Sequence, residues 1–122
     1  CLVSYTNVWY AKTKNKEESY FVIEHRGKTS YNRQLVDDLL YRCKDAKIIV
    51  SIYRKNGSDL VSGSIRGKPG YTINDIIAKG LEGLSGRGGG HPNGGGFAIS
   101  KEDYKEFQRR VEEMSREKIG ED

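Results

Sequence analysis

Seven of the eleven residues in Gly86-Arg87-Gly88-Gly89-Gly90-His91-Pro92-Asn93-Gly94-Gly95-Gly96 are glycine, and the other four are an arginine, a histidine, a proline and an asparagine. A flexible linker is the ordinary reading of a glycine-rich run. Linkers join domains, however, and this segment lies inside a continuous pattern of helix and strand signals and carries a rigid His-Pro step where a linker would carry serines. Backbone free of side chains lets N–H groups converge on a phosphate, or lets a nucleobase approach with no Cβ in the way, and this freedom is entropically costly if unused. The chemistry in view is anion binding. No Gly-Lys-Ser/Thr follows, as a P-loop requires, and the glycines precede a strand where those of a dinucleotide-binding loop precede a helix. The grip must be of another kind.

Gly88-Gly89-Gly90-His91-Pro92, followed by small residues and then Gly96-Phe97, resembles the Gly-Gly-Gly-His-Pro signature of the DHH-associated domain. That domain lies C-terminal to the catalytic DHH domain in RecJ-like exonucleases, oligoribonucleases and cyclic-dinucleotide phosphodiesterases. Ser64-Ile65-Arg66, at the end of a strand and before a helix, is similar to the family's Ser-x-Arg element, and the order of elements from Tyr20 to Met114 fits as well. The sequence departs from the usual pattern at Asn93-Gly94-Gly95, where many relatives have Ala-Ala after a variable residue, and at Arg87, where another glycine is common. These departures bear on ligand preference and leave the fold unaffected. A related domain of alanyl-tRNA synthetases has a comparable glycine-rich run but usually lacks the His-Pro step.

The resemblance implies a division of labour in a metal-dependent phosphoesterase, a hydrolase. The DHH domain holds manganese with Asp and His ligands, and the associated domain closes over the substrate and fixes its phosphate or terminal base. In that arrangement His91 is the expected catalytic residue, donating a hydrogen bond to the phosphate being cleaved; its alternative role is to cap the loop. Arg66, beside Ser64, offers the planar, bidentate donors that suit phosphate oxygens, against the alternative of an exposed strand-end charge. Gly88, Gly89, Gly90, Gly94 and Gly95 would supply backbone donors and clearance. Asn93 reads a base edge or satisfies the turn, Arg87 adds electrostatic grip or stacks on a base, and Lys68 is an accessory. The expected ligand is single-stranded nucleic acid, an oligonucleotide or a cyclic dinucleotide. A free-standing RNA- or DNA-binding module without catalysis, and a tRNA-binding domain related to that of alanyl-tRNA synthetase, are the alternatives.

The chain has two histidines, His25 and His91, and no spacing from which a metal cluster can be assembled. No metal or other cofactor is expected in this chain, and manganese is expected in the catalytic domain. Glu24-His25-Arg26 reads as a solvated strand end. The first residue is Cys, so a piece of a longer chain is expected, joined to an N-terminal DHH domain and inactive by itself.

These residues need elements to position them. Tyr20-Phe21-Val22-Ile23 and Ile48-Ile49-Val50-Ser51-Ile52-Tyr53 read as buried strands. Leu60-Val61-Ser62-Gly63-Ser64-Ile65 follows an Asn56-Gly57 turn and pairs with the second of these as a hairpin. Asn32 can cap a helix carrying Leu35, Val36, Leu39, Leu40 and Cys43. Thr72 can cap another with an apolar stripe of Ile73, Ile76, Ile77, Leu81 and Leu84. Phe97-Ala98-Ile99 is a brief strand. Ser100 then opens the clearest helix, with Asp103 completing a capping-box pattern, Ile99 and Tyr104 placed as a hydrophobic staple, and Phe107, Val111 and Met114 on its buried face. A strand is possible over residues 2–10, with a polar loop over residues 12–18. The sum is a single α/β domain over residues 1–122, with a mixed β-sheet packed by helices.

At 122 residues with 35% hydrophobic and 31% charged content, the chain can bury one core and not two. The net charge of +4 favours an anionic partner. Its distribution is uneven: residues 97–122 hold eight acids against six bases, which leaves nine acids against fifteen bases in residues 1–96. Two cysteines with no CxxC spacing indicate neither a disulfide scaffold nor a structural zinc site and fit a reducing, cytoplasmic setting. No leader and no long apolar run is present, so no membrane association is expected.

Overall fold

The computed structural model describes residues 8–12, 20–25, 46–54 and 57–120. Six strands form one sheet in the order β1-β2-β3-β4-β6-β5. They are β1 Val8–Lys12, β2 Tyr20–His25, β3 Ile48–Arg54, β4 Leu60–Gly67, β5 Arg87–His91 and β6 Gly94–Ser100. β2 and β3 run parallel, and the other neighbours are antiparallel. The sheet is therefore mixed. A parallel pair needs a crossover connection; the helix expected from Asn32 falls in that connection and lies outside the described residues, as does most of the expected strand and loop over residues 2–18.

β3 is one of the two central strands, with β4, and its sequence shows why. Ile48 through Ile52 are all buried, so both faces of the strand are covered, as a near-continuous apolar run requires. β4 and β6 alternate instead. Val61 and Ile65 on β4, and Phe97 and Ile99 on β6, enter one core with Ile48, Val50 and Ile52. Ser62, Ser64 and Arg66 on β4, and Gly94, Gly96 and Ala98 on β6, fall on the opposite face by the two-residue period of a strand.

The core face is covered by α1 Ile73–Leu81 and α2 Lys101–Gly120. Ile73, Ile76 and Ile77 of α1 and Tyr104, Phe107, Val111 and Ile119 of α2 complete the cluster, with the Phe97 and Phe107 ring centroids 4.7 Å apart. Gly80 brings the helices together: a Cβ there would stand 3.0 Å from Phe107 Cε1 and 3.3 Å from Val111 Cγ2. Arg110 of α2 donates to the carbonyls of Gly80 and Glu82, at 3.2 and 2.6 Å, satisfying orphan acceptors at the end of α1. Lys118 ties the other end of α2 to the Tyr71 carbonyl at 2.8 Å.

The start of α2 follows the expected pattern with one change. The Asp103 N–H donates to Ser100 Oγ at 3.3 Å, and Ile99 and Tyr104 are both in the core. The Asp103 carboxylate accepts from the Ser85 N–H at 3.0 Å, so it holds the incoming loop. At α1 the cap differs from expectation. Thr72 adopts a left-handed φ of 52° and makes no side-chain cap, and the helix ends at Leu81, leaving Leu84 beyond it to pack on the core edge. The Ile73 N–H donates instead to the Pro92 carbonyl at 2.8 Å.

The glycine-rich segment, expected as a loop, is a β-hairpin. β5 and β6 pair from Arg87↔Ala98 to His91↔Gly94, leaving Pro92 and Asn93 as a two-residue turn. Glycine has low strand propensity and offers no apolar alternation, so pattern gives no strand signal there.

Candidate phosphate-binding site

Arg66 pairs with Gly94 across β4 and β6, and Gly94 with His91 across β6 and β5. The three form one row on the sheet face away from α1 and α2. Gly94 is what lets the row close. A Cβ at that position would stand 2.5 Å from Arg66 Cδ and 2.9 Å from Arg66 Nη1. The arginine side chain therefore lies across the bare backbone of Gly94, and its Nη1 comes to 3.5 Å from His91 Nε2.

The imidazole is oriented from its other side by the Asn93 N–H, which donates to Nδ1 at 3.3 Å. A ring nitrogen that accepts carries no proton, so this bond needs the tautomer with its proton on Nε2, whereas a bond from Arg66 Nη1–H to Nε2 needs the proton on Nδ1. In the first tautomer Nε2–H and Nη1–H stand side by side as two donors. A shared anionic oxygen is the partner that serves both, and charge-assisted bonds of this kind are the strong ones.

The tip that carries His91 is tied down at two points. The Gly67 N–H at the end of β4 donates to the Asn93 carbonyl at 2.9 Å, and the Ile73 N–H donates to the Pro92 carbonyl. Asn93 thus satisfies the turn through its backbone. These bonds fix the hairpin tip to the strand that carries Arg66 and to the helix behind it.

Two residues further along each strand lies a second row, Ser64, Gly96 and Gly89. Ser64 Oγ is buried and has no hydrogen-bond partner. Leaving a buried hydroxyl unsatisfied costs about 1–3 kcal/mol, so a ligand or water oxygen at this place would remove a penalty.

The glycines divide by what they face. A Cβ at Gly88 would stand 2.5 Å from the Gly96 carbonyl oxygen, at Gly90 2.3 Å from that of Gly94, and at Gly95 2.3 Å from that of Gly89. At these three positions the neighbouring strand takes up the clearance. Gly89 has nothing within 4 Å of its missing Cβ, and Gly96 meets only the Gly63 oxygen at 3.5 Å. Among the described glycines only Gly57, Gly70 and Gly83 have positive φ, so Gly88 to Gly90 and Gly94 to Gly96 are extended and do not form the concave array of N–H groups that alternating left-handed residues would make. Gly96 joins the site without being expected from sequence. Its signal is available only through the register that places it opposite Gly89.

Arg87 is exposed at the start of β5, opposite Ala98, in a third row on the same face. Lys68 follows β4, and its N–H donates to the Lys47 carbonyl at 2.9 Å. The side chain of His25 lies outside the described residues. Among the described residues no group of three His, Cys, Asp or Glu side chains could hold a metal ion, and no helix is long and apolar enough to cross a membrane.

With Arg66, Ser64 and the Gly-Gly-Gly-His-Pro hairpin gathered on one face, the chain can be set beside known proteins. The family described as the DHHA1 domain matches residues 17–117. The chain belongs to the DHHA1 family.

Solved structures share this DHHA1 fold at low identity. The C-Ala domain of Aquifex aeolicus alanyl-tRNA synthetase is 21% identical with a TM-score of 0.60, over 78% of this chain and 86% of that one. RecJ from Thermus thermophilus, solved in complex with Mg2+, is 18% identical with a TM-score of 0.62, over 86% of this chain and 16% of that one. The pGpG-specific phosphodiesterase PggH from Vibrio cholerae is 13% identical with a TM-score of 0.54, over 80% of this chain and 33% of that one. This chain thus spans a small part of RecJ and PggH and most of C-Ala. No curated protein sequence matches the chain.

Proposed function

We propose that this DHHA1 domain grips a phosphate of single-stranded nucleic acid or a short oligonucleotide, as the substrate-binding part of a metal-dependent phosphodiesterase. The observation that carries the reading is the Arg66–His91 pair, with Nη1 and Nε2 held 3.5 Å apart over Gly94 beside the orphaned hydroxyl of Ser64. Arg66 supplies charge and two parallel donors. His91 supplies one donor, and because its Nδ1 is engaged by the Asn93 amide its part is to hold a phosphate oxygen and stabilise charge developing there, not to remove a proton. The described residues do not fit a catalytic metal, so no hydrolytic step is assigned to them. In this reading manganese belongs to a partner DHH domain, and the setting is the reducing, cytoplasmic one that two cysteines without CxxC spacing fit.

The C-Ala likeness, which extends over 86% of that domain, favours tRNA as the competing ligand. Fluorescence anisotropy with labelled single-stranded DNA, single-stranded RNA and tRNA separates the two. The phosphate-grip reading expects short oligonucleotides to bind, salt to weaken them as phosphate contacts require, and Arg66→Ala and His91→Ala each to weaken binding by roughly tenfold to a hundredfold. Tight tRNA binding that oligonucleotides do not imitate would favour the competing ligand, and variants that bind like wild type would refute the assigned site.

A further inference from the structure

The phosphate site occupies only one end of a longer surface. Three rows cross β4, β6 and β5 on the face away from the helices: Arg66, Gly94 and His91; then Ser64, Gly96 and Gly89; then Ser62, Ala98 and Arg87. The middle row carries nothing larger than a serine. Its two glycines are the ones in the hairpin that neighbouring atoms do not demand, since a Cβ at Gly89 would meet nothing and one at Gly96 only an oxygen at 3.5 Å. Neither has a positive φ, so backbone conformation does not explain them. Bare backbone at both positions makes a flat floor, with Arg66 and His91 at one end and the exposed residue Arg87 at the other.

The size of this floor says what it fits. His91 and Arg87 are four residues apart on one extended strand, roughly 13 Å at about 3.3 Å per residue. A free phosphate or a mononucleotide uses one end only. Neighbouring phosphates of a nucleic acid are joined through one sugar by six bonds, which cannot reach that far even when extended. Two sugars can.

Resting on the phosphate-grip reading, we propose that this face binds an extended strand of at least three nucleotides. One phosphate lies on Arg66 and His91, the following sugar and base lie over Gly89 and Gly96, and a later phosphate lies on Arg87. Arg87 is then a length-reading residue and Gly89 a clearance residue.

The test is anisotropy on the full chain with 5′-phosphorylated oligothymidylates and oligouridylates of two to five nucleotides, labelled at the 3′ end, at low and moderate salt. Wild type should bind longer oligonucleotides more tightly than dinucleotides, by at least about threefold, through one added phosphate contact. Arg87→Ala should keep the dinucleotide affinity, lose the gain with length, and reduce the salt slope for the longer strands by about one. Gly89→Ala should melt at or slightly above the wild-type temperature and bind every length more weakly. Absence of any length dependence in wild type, equal weakening of short and long strands by Arg87→Ala, or full affinity in Gly89→Ala would each overturn the proposal. Failure of the underlying reading has a different signature: Arg66→Ala binding dinucleotides as tightly as wild type removes the phosphate anchor itself.

Discussion

Arg66 reaches His91 only by lying across Gly94, which places the guanidinium Nη1 3.5 Å from the imidazole Nε2. In the proposed grip both groups act on one ligand oxygen, and their losses should not add. A hydrogen bond to a charged group contributes about 1.5–3 kcal/mol, so Arg66→Ala and His91→Ala should each weaken oligonucleotide binding by roughly tenfold to a hundredfold. The double variant should be little weaker than the poorer single one. Arg66→Lys should rescue poorly, because an ammonium cannot present two coplanar donors. Anisotropy titrations of the wild type, the two alanine variants and the double variant form the cycle that measures this coupling.

Gly94→Ala should separate binding from folding. The atoms that an added Cβ would meet are Cδ, Nη1 and Nε of Arg66, at 2.5, 2.9 and 3.1 Å, a flexible side chain that can swing aside. Stability should change by less than about 1 kcal/mol, the usual range where no core or cap is lost. Phosphate affinity should fall toward that of Arg66→Ala, because the displaced guanidinium no longer stands beside His91. Thermal melts and titrations of the same preparation check both halves.

What is legible in the sequence follows from which signals have a period. The serine-capped helix α2 and the Ile73, Ile76, Ile77 stripe of α1 are readable because burial repeats along them, and the β3 run because its apolar stretch is nearly unbroken. Arg66 and His91 are readable as candidates because Ser64-Ile65-Arg66 and Gly88-Gly89-Gly90-His91-Pro92 resemble the family's two motifs, and a guanidinium suits phosphate oxygens. The hairpin is not, since Gly88 to Gly90 and Gly94 to Gly96 carry no side-chain pattern, and only the pairing of His91 with Gly94 shows Pro92-Asn93 to be a turn. The cap of α1 escapes sequence reading for a related reason: the acceptor is the Pro92 carbonyl, far along the chain from Ile73, and Thr72 has a left-handed φ. Nor can the sequence divide the glycines, because what each one clears is an atom of another strand.

That division predicts opposite effects for substitutions that look alike. A Cβ at Gly63 would meet the Ser51 carbonyl oxygen at 2.1 Å and Phe97 Cζ at 2.8 Å, and one at Gly95 would meet the Gly89 carbonyl oxygen at 2.3 Å and Ile77 Cδ1 at 2.9 Å. Overpacking of a sheet and core costs about 1–3 kcal/mol, so Gly63→Ala and Gly95→Ala should lower the melting temperature by several degrees. Gly89→Ala meets nothing and should be neutral, or stabilise by about 0.4–1 kcal/mol through a less flexible unfolded chain. Calorimetry or circular dichroism melts of the three variants decide it, and a Gly89→Ala protein as unstable as Gly95→Ala would overturn the division.

Acid should weaken α2 before it weakens the sheet. Glu106 accepts from Arg109 through both carboxylate oxygens at 2.8 Å and from Arg110 at 2.7 Å. These bonds, Arg109's first, lower its pKa from 4.5 to about 2. Asp103 is lowered as well, by its hydrogen bonds to the Ser85 side chain and amide and to Ser100. A carboxylate whose folded pKa lies below its unfolded value adds stability above the unfolded pKa and loses it as pH falls toward the folded one. For Glu106 that window runs from 4.5 down to about 2. The same carboxylate also anchors Arg110, whose guanidinium caps the Gly80 and Glu82 carbonyls, so protonation loosens the join between α2 and α1. The melting temperature should fall across this window in wild type. It should start lower and fall less steeply in Glu106→Gln, with added salt diminishing the difference because the pair is exposed. Melts that decline equally in both proteins would place the acid-sensitive groups elsewhere.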